Sequence, residues 1–228
     1  MDLSSPLRSL IPSLDSAVLE VLAGTESSLS QARITDLAAR GSRQGIATVL
    51  QRLVEHGLVL AQPANQGALY RLNREHVLAH CVTSAADARS EITRRLRAAA
   101  TRLRPAPTAT ALFGSFVRRQ TNVDSDIDLL IVVANDVDVA STEWSDQIES
   151  LVKDTTLWTG NRLEPLVLTE NAVAAAAAAD EPLIDSLRAE AVPLTGHESL
   201  THLLDRPARP RGRRTAVGTR TMATACLA

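Results

Sequence analysis

Asp126 and Asp128 stand one residue apart at the start of an apolar run, SerAspIleAspLeuLeuIleVal over 125–132. In an extended strand alternate side chains share a face, so both carboxylates project to one side while Ile127, Leu129 and Ile131 fill the other. Two like charges this close are costly without a compensating cation. Such a pair suits Mg²⁺ ions that bridge nucleotide phosphates and activate an attacking oxygen. Just upstream, Gly114 permits a sharp backbone turn. Ser115 then offers a hydroxyl and an amide at a helix start, where amides and macrodipole favour phosphate. Taken alone, Ser115 serves equally well as a plain helix cap.

The elements that must position these groups follow from local pattern. ThrAlaThrAlaLeuPhe (108–113) reads as a short buried strand leading into Gly114, and the strand bearing the acidic pair comes next. Residues 141–158 form a helix with Trp144, Ile148, Leu151 and Val152 inward. AsnArgLeuGluProLeuValLeuThr (161–169) is a further strand, and its Glu164 is the candidate for a third carboxylate. Pro165 lacks a ladder donor, so this strand begins there or lies at an edge. The alanine run 172–179 is a helix by propensity, and 181–196 give an amphipathic helix and a closing strand. His197 and His202 are isolated surface or capping residues.

The string GlySerPheValArgArgGln (114–120) followed by SerAspIleAspLeu (125–129) resembles the signature of the nucleotidyltransferase superfamily of DNA-polymerase-beta type, particularly its small bacterial members, over about residues 108–168. The resemblance implies that Gly114 and Ser115 bind triphosphate, Arg118 supports the loop or phosphates, and Ser125 precedes the acidic pair. Asp126 and Asp128, with Glu164, would hold a two-ion Mg²⁺ site. The implied reaction moves a nucleoside monophosphate from NTP, ATP among the candidates, to an acceptor. Small relatives act in toxin–antitoxin pairs on a partner protein or tRNA, which makes a protein or tRNA acceptor, or a small helical partner, an expectation. Arg119 stands where the small members have glycine, and Gln120 where they commonly have an acid.

In the first segment, residues 15–23 put Val18, Leu19 and Leu22 on one helical face. Ser30 caps a second helix with Ile34, Leu37 and Ala38 inward. From Arg43 a third helix carries Ile46, Val49, Leu50, Leu53 and Val54 as one stripe and stops at Gly57. Its opposite face holds Arg43, Gln44, Thr48, Gln51 and Arg52, side chains able to reach base edges or phosphates. Residues 58–62 and 68–73 alternate like two strands around a turn at 63–67. Three helices and a hairpin resemble the winged helix-turn-helix family over about residues 12–74. That family implies double-stranded DNA binding, the third helix in the major groove and the wing near Gln66 on the backbone. Docking of another protein is the alternative use of such a unit.

Residues 75–103 are expected to continue as one long connecting helix, with Leu78, Cys81, Val82, Ala85, Ile92, Leu96 and Leu103 as its stripe. That stripe would pack on the second half or on another copy of the chain, a homodimer. Its arginines at 89, 94, 95, 97 and 102 read as a solvated face.

Charge divides the chain sharply: 13 basic against 9 acidic side chains in residues 1–104, 5 against 16 in 105–204, and 6 against 1 in 205–228. A basic front beside an acidic middle suits a polyanion-binding module joined to a domain whose carboxylates hold metal or face water. An aromatic share of 2% leaves little for base stacking. Two cysteines, Cys81 and Cys226, give no zinc or disulfide spacing. No run suits a bilayer and the start lacks a cleavage signal, so a cytoplasmic protein is expected.

The organisation expected is therefore α+β. A winged helix-turn-helix (1–74) is followed by a connecting helix (75–104), a nucleotidyltransferase-fold domain with a mixed sheet (105–204), and a disordered basic tail (205–228). Two functions of different class fit it: a Mg²⁺-dependent nucleotidyltransferase, or a DNA-binding regulator whose second domain senses nucleotide or a partner without catalysis.

Overall fold

The computed structural model describes residues 1–65, 67–119 and 125–205; Gln66, Gln120 and the basic tail lie outside the described residues. The chain folds as α1 (Asp15–Ala23), β1 (Leu29–Ser30), α2 (Gln31–Ala38), α3 (Arg43–Glu55), β2 (Val59–Ala64), β3 (Gly67–Leu72), α4 (Ala79–Ala86) and α5 (Ala88–Ala100). There follow β4 (Ala109–Phe113), α6 (Gly114–Arg118), β5 (Ile127–Val133), α7 (Thr142–Thr159), β6 (Leu163–Thr169), α8 (Glu170–Ala178), α9 (Pro182–Glu190), β7 (Val192–Thr195) and α10 (His197–Leu204). The class is α+β.

Hydroxyl caps start the helices where the sequence supplies them: Ser30, Ser42, Ser141 and Thr169 each accept an amide from α2, α3, α7 and α8. In the first half, Ile46, Val49, Leu50 and Leu53 of α3 join Val18, Leu19, Leu22 and Ile34 in one core. Beside it, β2 and β3 pair antiparallel, and the two-residue β1, which sequence reading did not find, adds to β3. Leu37, expected inward, is 46% exposed. It shares a face with the fully covered Ile34, but at Leu37 that face opens onto a cleft instead of the core.

The second half is built on a four-stranded sheet ordered β6-β5-β4-β7, parallel at β5–β6 and antiparallel elsewhere. Central β5 is covered on both faces, which explains its continuous apolar run. Ile127, Leu129, Ile131 and Val133 pack with α5 and α7, whereas Leu130 and Val132 pack with α8, α9 and α10. Leu130 is fully buried. Leu130→Ala should therefore destabilise the protein by about 2–5 kcal/mol, a loss that denaturant unfolding would register. A midpoint within error of wild type would show that this layer is not a packed core.

The expected connecting helix is broken. Asp87, at φ −89° and ψ 8°, ends α4 and begins α5. The reason is that the stripe serves two cores, Val82 joining the first and Ile92, Leu96 and Leu103 the second. One straight axis cannot face both. Leu78 and Cys81, assigned to the stripe, are exposed, and the rest packs within the chain itself. Nor is the arginine face simply solvated. Arg89 donates to the carbonyls of Leu3 and Phe116 and stacks over the Phe116 ring, Arg97 donates to Leu194 O, and Arg95 sits over Trp158. Residues 1–9 join the halves as well: Leu3 is buried in the core of the second sheet and Leu7 in that of the first half. No helix among the described residues is long and apolar enough to cross a membrane.

Candidate active site

Three elements converge at one end of the sheet. β4 ends at Phe113, and Gly114 turns the chain into α6 with φ +70°, a left-handed value that costs other residues strain. A second constraint acts on the same atom. A Cβ on Gly114 would stand 2.1 Å from Asp128 Oδ2, so the turn can lie against this carboxylate only without a side chain.

Asp128 is the second residue of β5 and Asp126 directly precedes that strand, one position later in strand onset than the sequence reading placed it. The charge of Asp126 bears on Asp128, as alternate positions on one strand face allow. Glu164, the candidate third carboxylate, stands on the neighbouring strand. In the parallel pairing of β5 with β6, Asp128 and Glu164 are direct register partners. β6 is an edge strand with Pro165 third from its start, where the missing donor is tolerated. Glu164 also pairs with Arg162 at 2.9 Å, an exposed contact weakened by solvent.

Partial burial pushes the Asp128 carboxyl above its ordinary range; Asp126 adds to this, Arg118 opposes it, and Glu164 and Glu190 contribute further. The donor set is all oxygen, partly buried and like-charged, which fits a hard divalent cation. Among the described residues no three His, Cys, Asp or Glu side chains already converge on one ion position. Remaining ligands would come from nucleotide phosphates and water, the usual arrangement for Mg²⁺.

Two positioning residues escaped sequence reading. Glu190, the last residue of α9, accepts from the Gly114 amide (3.2 Å), from Arg118 Nη1 at both oxygens (2.7 and 2.8 Å) and from Ser186 Oγ (2.7 Å). Those donors hold its carboxyl below the usual range, Ser186 foremost and Arg118 next. Arg118 is thus oriented by a carboxylate 72 residues away. Asn161, buried, donates from Nδ2 to Ser125 O at 3.0 Å and fixes the approach to Asp126. Both depend on pairings no local pattern reveals, the i, i+4 spacing of Ser186 and Glu190 on one helix being the one local signal available. The Ser115 hydroxyl has no hydrogen-bond partner among the described residues.

On α3 the candidate nucleic-acid residues Arg43, Gln44, Thr48, Gln51 and Arg52 are all exposed. Arg52 is paired with Asp15, Gln51 donates to Glu55 at 3.1 Å and Thr48 to Gln44 O at 3.1 Å. The Arg43 and Gln44 side chains have no partner among the described residues. His197 and His202 are exposed on α10.

No curated protein and no solved structure matches the chain significantly. One family model does, and its match starts inside α5, whose Ile92 and Leu96 belong to the sheet's core. Residues 93–170, which carry Gly114, Ser115, Asp126, Asp128 and Glu164, match the family described as Nucleotidyltransferase domain, and the match supports a general nucleotidyl-transfer role for this part of the chain.

Proposed function

We propose that the protein is a Mg²⁺-dependent transferase that moves a nucleoside monophosphate from NTP to a hydroxyl of a protein or RNA acceptor. The observation carrying this reading is the register pairing of Glu164 with Asp128, beside Asp126 and against the side-chain-free turn at Gly114.

Asp126, Asp128 and Glu164 would hold Mg²⁺, which supplies charge neutralisation for the triphosphate and lowers the pKa of a bound hydroxyl. Gly114 and Ser115 present amides and a hydroxyl to the phosphates. The acceptor oxygen attacks the α-phosphorus, its proton passes to a site carboxylate, and the bond from that phosphorus to the bridging oxygen breaks as pyrophosphate leaves. Glu190 keeps Arg118 and the turn in place through these steps. The first half is read as a winged helix-turn-helix that binds double-stranded DNA through Arg43 and Gln44 of α3, with Gln66 as a further contact, working in the cytoplasm.

The test is incubation with each labelled NTP, Mg²⁺ and cell lysate, beside Asp126→Asn with Asp128→Asn. Label should pass to an acceptor with wild type only, the double variant losing at least about 1,000-fold, the scale of removing principal charge stabilisation. Full transfer by the double variant would sink the metal assignment. A second reading, a nucleotide-sensing regulator without turnover, is favoured by one observation, the engagement of Arg118 by Glu190. NTP binding without label would select it.

A further inference from the structure

Between the first half and the turn that ends α6 lies a cleft of about 980 Å³. Among the described residues five arginines line it, Arg8, Arg33, Arg40, Arg89 and Arg119, against two carboxylates, Glu20 and Asp87. Little of this positive charge is neutralised within the chain. Arg8 has Asp2 at 3.6 Å, but Arg40 bonds only to the Ser16 hydroxyl and the Ser13 carbonyl. Glu20 is already taken by the Ser5 hydroxyl and the Leu7 amide. Half-buried Arg89 is held by two carbonyls and no carboxylate, and Arg119 is close enough to repel it. The exposed side chains of Arg33 and Arg119 have no partner among the described residues. Arginines outnumbering carboxylates in this way leave a positive excess, which suits an anion with more than one charge.

Position gives the ligand its class. Arg33 lies on α2, beside α3, so charge runs from the first half towards Arg119 at the far end of α6. The near end of α6 is Gly114, against Asp128, and five helical residues span only about 7 Å. A chain of phosphates crossing the cleft would reach the acidic site within about one and a half turns of helix. Guanidinium forks suit phosphate oxygens, and the scarcity of aromatic side chains leaves backbone charge as the means of holding a strand.

We propose that this cleft binds the phosphodiester backbone of a nucleic-acid acceptor and delivers its terminal hydroxyl to Asp126, Asp128 and Glu164. The delivery rests on the transferase reading; the binding does not. It is tested on the full chain by fluorescence anisotropy with a labelled RNA hairpin bearing a single-stranded end, the same hairpin in DNA, and polyglutamate as competitor. Arg33→Glu with Arg119→Glu should weaken RNA binding at least about 10-fold and lower the salt slope by about 2, while Arg43→Glu leaves the slope change smaller. Unchanged circular dichroism and melting temperature confirm that these exposed substitutions leave the fold intact. Tighter binding of the RNA than of the DNA form identifies the sugar, and either form supports the cleft. Wild-type affinity in the cleft variant overturns the proposal, as does displacement by polyglutamate at equal charge, which would mark an acidic protein instead. Asp126→Asn with Asp128→Asn should bind RNA as wild type does. Binding without label transfer to the RNA end would overturn the delivery and leave the binding standing, whereas no label on any acceptor in lysate would sink the transferase reading.

Discussion

Gly114→Ala should cost about 100-fold or more in nucleotidyl transfer while lowering stability by only about 1–2 kcal/mol. The two effects have separate causes. The stability loss is the left-handed penalty at φ +70°, borne by any residue with a Cβ. The activity loss comes from the 2.1 Å approach of that Cβ to Asp128 Oδ2. Something must shift, and the yielding atom is the carboxylate oxygen, the far end of a short side chain. The fold therefore survives while the carboxylate is displaced by an ångström or more, an error that costs about two orders of magnitude in a positioned reaction. Thermal unfolding and single-turnover transfer, measured on the same preparation, separate the two. A variant that lost stability but kept transfer within a few-fold would show that Asp128 needs no fixed place beside the turn.

How much of this site was legible beforehand differs residue by residue. The pair Asp126 and Asp128 could be read because strand periodicity is local, and the β5 run declares its own burial. Pro165 pointed to a strand start or an edge, and the edge holds, Pro165 being third in β6, since a missing amide has the same consequence wherever the strand lies. The partnership of Glu164 with Asp128 was only a candidate. It depends on the register of a parallel pair joined through the 18-residue α7, a crossover no spacing rule encodes. Glu190 was missed for the same reason at greater range, its partner Gly114 lying 76 residues away.

The first half shows the converse limit. Periodicity located α1, α2 and α3 and the hairpin, but not the break at Asp87, because a continuous stripe does not say that its two ends belong to different cores. It also read Arg89 and Arg97 as solvated, since a helix's polar face reveals nothing of the carbonyls brought to it by Leu3, Phe116 and Leu194.

Asp128→Asn should abolish transfer and yet raise the melting temperature in the absence of Mg²⁺ and nucleotide. The Asp128 carboxyl lies above its ordinary range because of burial first, then the charge of Asp126; Arg118 opposes the shift, and Glu164 and Glu190 add to it. A raised folded-state value means that the folded chain holds this proton more tightly than the unfolded one. The resulting stability is fully present below the unfolded value and is lost as pH rises through the folded one. At neutral pH the ionised carboxylate therefore opposes folding, and an amide of the same shape removes the opposition. Asp128 is only partly covered, so solvent screens the effect, and the rise should be about 1–3 °C. The gain should shrink towards acid pH, where the wild-type carboxyl is itself protonated. Mg²⁺ with nucleotide should reverse the order, raising the wild-type melting temperature by linkage and leaving the variant unmoved. A variant less stable than wild type at neutral pH, without ligand, would mean that Asp128 is held by favourable partners and is no strained ligand waiting for a cation.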